Sequence, residues 1–85
     1  MSGKITVFSR DNCAFCERAK VLLEERSLEY DVVSLEKDFR GDKEAFKKAI
    51  ADKMPPKIEF STVPQIFIGE VYVGGYRELK VAIGS

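Results

Sequence analysis

Two cysteines, Cys13 and Cys16, are separated by two residues and lie between an apolar run, residues 5–8, and a segment with helical periodicity. They are the only cysteines among the 85 residues, and the chain contains no histidine. A Cys-x-x-Cys pair where a strand leads into a helix is suited to cycle between dithiol and disulfide. This feature restricts the fold to architectures that place the end of a strand directly before a helix N-terminus.

The start of the predicted helix is expected to activate the first of the two thiols. Backbone N–H groups in the first turn of a helix lack internal partners and carry partial positive charge, which favours a thiolate. Arg10 lies three residues before Cys13 and adds a positive charge from the loop. Because the thiolate is the form that attacks a disulfide, we expect Cys13 to be the nucleophile and Cys16 to be the resolving thiol.

Three other roles for the cysteine pair remain open at this point. A structural disulfide across two residues closes a very small loop, so it removes little entropy from the unfolded chain. Zinc takes four ligands, usually Cys or His, whereas this chain offers two cysteines. In the third alternative both thiols are buried and inert. We favour redox chemistry and expect no bound metal.

Length and charge narrow the class of protein. Fourteen basic and fourteen acidic residues cancel without a long run of one sign, so a general nucleic-acid surface is not indicated. A length of 85 residues suits a single domain, residues 1–85, with one hydrophobic core. The sequence shows neither a signal peptide nor an apolar stretch of membrane-spanning length. We therefore expect a cytoplasmic protein without a membrane partner.

The hydrophobic pattern predicts the element order β-α-β-α-β-β-α. Predicted strands cover residues 4–8, 29–35, 65–68 and 71–73, and predicted helices cover residues 13–26, 42–54 and 77–83. Asn12 is the expected N-cap of the first helix, Asp42 starts the second, and residues 37–41 are expected to form a charged loop.

The connections predict how the strands pair. A right-handed strand–helix–strand unit makes the first two strands parallel, and a tight turn at Gly69 and Glu70 makes the last two antiparallel. The result is an α/β fold in which three helices flank a four-stranded mixed sheet. A Cys-x-x-Cys beside such a unit indicates the thioredoxin-like fold.

Three motifs, in this order along the chain, resemble those of the glutaredoxin family. The first, R-x-x-C-A-F-C at residues 10–16, is similar to the family's basic-x-x-C-P-Y-C. The second is T-V-P at residues 62–64, and the third is G-G-Y at residues 74–76. The resemblance extends from residue 5 to about residue 79 and is greatest to the small dithiol glutaredoxins of bacteria and their phages.

This resemblance implies a glutathione-dependent thiol–disulfide oxidoreductase that acts through Cys13 and Cys16. It implies glutathione as co-substrate, disulfide-containing proteins as partners with ribonucleotide reductase as one recipient, and a monomer. It also implies a cis peptide bond before Pro64 and free N–H groups at the Gly-Gly turn that suit a carboxylate. The residues implied to contact glutathione are Arg10, Phe15, Thr62, Val63, Pro64, Gly75, Tyr76 and Arg77.

The sequence departs from the family pattern near both ends of the predicted site. Ala14 and Phe15 replace the usual Pro and Tyr. After the Gly-Gly turn, Glu78 occupies the position at which the family commonly has Asp, and Arg77 precedes it. Two other functions stay open. One is a small thioredoxin that a flavoprotein reductase recycles. The other is a carrier of a [2Fe–2S] cluster, which one cysteine from each of two protomers and two glutathiones would hold. Ala14 in place of the usual proline favours this second alternative.

Overall fold

The computed structural model describes residues 4–54 and 63–84, which contain four strands and four helices. The strands are β1 Ile5–Ser9, β2 Tyr30–Ser34, β3 Gln65–Ile68 and β4 Val71–Gly74. They form one mixed sheet with the order β2-β1-β3-β4. The predicted parallel pair β1–β2, the predicted antiparallel pair β3–β4 and the thioredoxin-like fold are confirmed. The sheet is completed by an antiparallel pair of β1 with β3, which the sequence did not predict.

The helices number one more than the sequence analysis predicted. They are α1 Ala14–Glu25, α2 Leu35–Phe39, α3 Lys43–Ala51 and α4 Tyr76–Ala82. The prediction of a charged loop at residues 37–41 is wrong in its first part, because α2 occupies residues 35–39. The Ser34 hydroxyl accepts hydrogen bonds from the backbone N–H groups of Glu36 and Lys37, and the buried Leu35 anchors the turn.

Of the two predicted helix N-caps, one is confirmed and one is wrong. Asp42 caps α3 as expected, since its carboxylate accepts the backbone N–H of Ala45 at 3.1 Å. Asn12 does not cap α1: it adopts a left-handed backbone with φ 58°, and Cys13 is the N-cap. Cys13 therefore caps the helix that contains Cys16.

The sheet separates two clusters of buried apolar side chains. Strand residues alternate between its faces, so Val7 and Ile66 pack on one side while Phe8 and Phe67 pack on the other. The first cluster contains Leu22 and Leu23 of α1 and Leu79 of α4, and the second contains Phe46 and Ile50 of α3. Burying each such side chain contributes about 1.5–3 kcal/mol. The central strands are thus buried on both faces, and β1 ends rigidly at the cysteine loop.

None of the helices in the described part of the chain combines the length and apolar character needed to cross a membrane.

Candidate functional site

Cys13 and Cys16 form a disulfide at the N-terminus of α1, with Cα atoms 5.2 Å apart. Their environments differ, because Cys13 is partly exposed whereas Cys16 is completely buried. The backbone N–H of Cys16 donates to the Cys13 Sγ at 3.1 Å. After reduction the same N–H favours a thiolate at Cys13, since a hydrogen bond to an ionised sulfur is stronger than one to a neutral sulfur. A substrate can reach only one of the two sulfurs.

The loop before Cys13 is tied to the other side of the sheet. The Glu36 carboxylate of α2 accepts the backbone N–H of Asp11 at 3.0 Å and also contacts the Ser34 hydroxyl. This contact joins residues that are 25 positions apart and orients the turn that presents Arg10. Glu36 was not among the predicted site residues, because no local pattern in the sequence indicates its contact with Asp11.

A cis peptide bond joins Val63 to Pro64 beside the disulfide, as the family resemblance implied. The Val63 carbonyl oxygen lies 3.5 Å from the Cys13 Sγ, although the two residues are 50 positions apart. Pro64 is buried, whereas Val63 keeps part of its surface exposed. The backbone of Val63 is thus placed to pair with an extended ligand that lies beside Cys13. Thr62, the third predicted residue of this motif, lies outside the described residues.

The Gly74–Gly75 turn contradicts one expectation from the sequence. Its N–H groups were expected to be free for a ligand carboxylate, but the Gly75 N–H donates to the Glu78 Oε1 at 2.9 Å. Glu78 lies three residues into the helix start, where an acidic side chain commonly reaches back to the N-cap N–H. This spacing is the signal that could have revealed the contact. A ligand carboxylate would have to displace Glu78 to reach that amide.

An aromatic pair forms the rim next to Cys13. The rings of Phe15 in α1 and Tyr76 in α4 have centroids 6.0 Å apart, and the Arg18 guanidinium lies 5.2 Å from the Phe15 centroid. Phe15 remains 47% exposed, so part of its ring is open to a ligand. The pair offers apolar contact area beside the accessible sulfur.

These features surround one open groove of about 1070 Å³. The structure brings Cys13 and seven of the predicted contact residues to it, but not Cys16, which lies beneath the surface. The contribution of these residues to ligand binding stays a prediction. The seven are Arg10, Phe15, Val63, Pro64, Gly75, Tyr76 and Arg77.

Further groove residues were missed by the sequence analysis. Lys43 and Lys47 of α3 line the wall on the other side of the groove. Tyr72 lies at the base, where its hydroxyl donates to the Gln65 side chain. Burial, and secondly the Glu78 carboxylate, raise the pKa of Tyr72, so this hydroxyl stays protonated. Within residues 4–54 and 63–84, no cluster of three or more His, Cys, Asp or Glu side chains could hold a metal ion.

Comparison with known sequences gives a consistent family. A sequence model of the glutaredoxin family matches residues 5–73. Glutaredoxin-1 of Rhizophagus irregularis is 35% identical over 81 residues, which cover 95% of this chain and 74% of that protein. Glutaredoxin 1 of Rickettsia typhi is 33% identical over 75 residues, which cover 88% of this chain and 65% of that protein.

Solved structures agree with this family. Glutaredoxin 1 from Francisella tularensis, complexed with cacodylate, has a TM-score of 0.73 and 30% identity, with coverage of 95% of this chain and 92% of that one. A buckwheat glutaredoxin–glutathione complex also has a TM-score of 0.73, with 28% identity and coverage of 94% and 69%. With its redox-active cysteine pair on a thioredoxin-like fold, this chain belongs to the glutaredoxin family, whose members are thiol–disulfide oxidoreductases.

Proposed function

We propose that this protein reduces protein disulfides and glutathione mixed disulfides through Cys13 and Cys16, and that glutathione returns it to the dithiol form. The observation that carries the proposal is the contrast between the two sulfurs. Cys13 is accessible in the groove and accepts the Cys16 N–H, whereas Cys16 is fully buried one helical turn below. Such an arrangement suits one sulfur to attack and the other to resolve.

The reaction consists of successive thiol–disulfide exchanges. The Cys13 thiolate attacks one sulfur of the substrate disulfide, forms a mixed disulfide and releases the other sulfur as a thiolate. Cys16 then attacks the Cys13 Sγ and gives up its proton, which the departing substrate sulfur takes up. The second substrate thiol leaves, and the Cys13–Cys16 disulfide remains. One glutathione thiolate then opens this disulfide at Cys13, and a second removes the first as glutathione disulfide.

Two features of the groove and one similar solved structure support glutathione as the reductant. The Val63 backbone lies beside Cys13 and can pair with an extended peptide. Arg10 and Arg77 line the groove and can each pair with one of the two glutathione carboxylates. A buckwheat glutaredoxin of the same fold has been solved as a glutathione complex. Protein disulfides are the proposed physiological substrates, with ribonucleotide reductase as one candidate and a monomer as the active form.

A pair of coupled assays tests this proposal. Disulfide reduction is followed by NADPH consumption, either with glutathione and glutathione reductase or with thioredoxin reductase. We expect turnover in the first assay and little in the second. Turnover with thioredoxin reductase alone would instead identify the thioredoxin-like alternative.

Variants of the two cysteines test their separate roles. Cys13→Ser is expected to abolish all turnover, because it removes the attacking sulfur. Cys16→Ser is expected to retain reduction of glutathione mixed disulfides, which needs one protein thiol, but to lose dithiol reduction of protein disulfides. Equal loss in both variants on both substrates would contradict these roles.

A further inference from the structure

The groove beside Cys13 is basic although the chain as a whole is neutral. Formal charges cancel at fourteen of each sign, yet four cationic side chains line the groove. Among the described lining residues Glu78 is the single carboxylate, and it already accepts the Gly75 N–H. No described carboxylate lies within 4.0 Å of any of the four cations, whereas Lys4, Lys20 and Lys48 each have one. The four are Arg10, Lys43, Lys47 and Arg77.

Two of these cations form a wall of their own on α3. Lys43 and Lys47 are four residues apart, so they lie on the same side of the helix. Both line the groove, while Phe46 and Ile50 of the same helix pack into the core. Lys48, the next residue along, instead pairs with Asp52 at 3.5 Å and does not line the groove. The helix thus separates lysines that face the groove from one that does not.

Glutathione by itself accounts for only part of this charge. A glutathione molecule carries two carboxylates and one ammonium group, and Arg10 and Arg77 suffice for its two carboxylates. Lys43 and Lys47 then keep their charges without a described partner. The groove of about 1070 Å³ is also at the upper end of the range of about 300–1,000 Å³ that is usual for sites of small ligands. Space and positive charge therefore remain on the α3 side of Cys13 for a longer ligand.

We propose that Lys43 and Lys47 dock an acidic segment of a protein substrate, and that they thereby select disulfides whose cysteine is flanked by Asp or Glu. This inference rests on the proposed function, since the bound segment carries the disulfide that Cys13 attacks. The segment lies extended along the Val63 backbone, and its carboxylates reach the lysines of α3. The chemical steps remain the thiol–disulfide exchange described above. The lysines raise the association rate and the affinity of the acidic segment.

The test measures single-turnover reduction of two synthetic peptides by the pre-reduced protein, without glutathione. Both peptides contain the same disulfide; one has Glu residues beside the cysteine and the other has Gln at those positions. We expect the native protein to reduce the acidic peptide with several-fold higher second-order rate constant at low salt. High salt should remove this preference, because ions screen exposed charges.

Matched lysine variants locate the preference on the surface. Lys47→Gln is expected to lower the rate constant for the acidic peptide about two- to fivefold, the range typical of a single exposed ion pair, and Lys43→Gln/Lys47→Gln to lower it further. Lys48→Gln removes the same charge one residue away but outside the groove, and should change nothing. The acidic-to-neutral ratio of the native protein serves as the reference for all three variants.

Several outcomes would overturn the inference. Equal rate constants for the two peptides with the native protein would do so, as would equal losses in Lys47→Gln and Lys48→Gln. A rise in KM for glutathione in Lys47→Gln, without any preference between peptides, would assign the lysines to glutathione instead. The proposed function fails separately, if the native protein shows no turnover of a small neutral disulfide in the glutathione-coupled assay.

Discussion

Replacing Gly74 by alanine is expected to lower the free energy of unfolding far more than the same change at the adjacent Gly75. Gly74 has φ +122°, a backbone conformation that residues with a side chain rarely adopt. An added Cβ would also lie 2.8 Å from the Glu78 Cγ and 2.9 Å from the Glu78 Cβ. At Gly75, φ is −95°, and the nearest atoms would be 3.4 Å and 3.6 Å away, which is ordinary contact.

Two costs and one smaller gain set the change in the free energy of unfolding at Gly74. Holding alanine at this φ costs about 1–3 kcal/mol. Because the clash involves the stem of Glu78, the carboxylate must leave the Gly75 N–H, and losing such a cap costs about 0.5–2 kcal/mol. Reduced freedom of the unfolded chain returns about 0.4–1 kcal/mol. At the midpoints of these ranges, we expect Gly74→Ala to lower the free energy of unfolding by about 2.5 kcal/mol, and Gly75→Ala by less than about 1 kcal/mol.

Urea denaturation followed by circular dichroism measures both variants, together with Glu78→Ala and the double variant Gly74→Ala/Glu78→Ala. Since Gly74→Ala already displaces the Glu78 carboxylate, removing that carboxylate should add almost nothing in the double variant. In a domain of this size the expected loss corresponds to a fall in Tm of roughly 10–20 °C. The reasoning is refuted if the two glycine variants are equally stable, or if the effects of Gly74→Ala and Glu78→Ala simply add.

Three further predictions concern other parts of the molecule. Burial and the hydrogen bond to Glu24 raise the pKa of Tyr30 to about 12, so stability present below pH 10 should fall as pH rises towards 12. Tyr30→Phe should flatten that fall in alkaline denaturation curves, and an unchanged slope would contradict it. In the reduced protein, iodoacetamide should alkylate Cys13 much faster than the fully buried Cys16, as measured by mass spectrometry of the peptides. The pH at which the alkylation rate of Cys13 is half-maximal should lie below the ordinary thiol pKa of about 8.5. Equal rates at the two cysteines would contradict this prediction. Leu23→Ala removes a completely buried side chain of the first core cluster and should cost about 2–5 kcal/mol in urea denaturation, whereas a loss below about 1 kcal/mol would show that the core collapses around it.

The cysteine motif and the element order were predictable from the sequence because their signals are local. A run of apolar residues over about five positions indicates a strand, and apolar residues spaced three and four apart indicate helices such as α1 and α3. Local signals also placed Asp42 at the start of α3 and predicted the parallel pair β1–β2 and the antiparallel pair β3–β4, but not the antiparallel pair β1–β3. It missed α2, since five residues are too few for a helical period to be recognised.

Caps were predicted less well, because several nearby residues compete for one helix start. Asn12 is a favourable N-cap by type, yet Cys13 occupies that position and Asn12 forms the left-handed turn before it. At α4, Glu78 occupies the Gly75 N–H that was expected to be free. The first outcome depends on the left-handed turn at Asn12, which places Cys13 at the helix start, whereas the second follows from the three-residue spacing of Glu78, a local signal that was not used.

The sequence by itself determined which sulfur chemistry is available, the order of every described element except α2, and the family to which the chain belongs. Only the tertiary structure decided what surrounds the accessible sulfur. The Val63 carbonyl comes from 50 residues away, the Glu36 contact with the cysteine loop spans 25 residues, and Lys43 and Lys47 approach from a separate helix. Such contacts leave no periodic trace in the chain, because they depend on how helices pack across the sheet and not on the spacing of neighbouring residues.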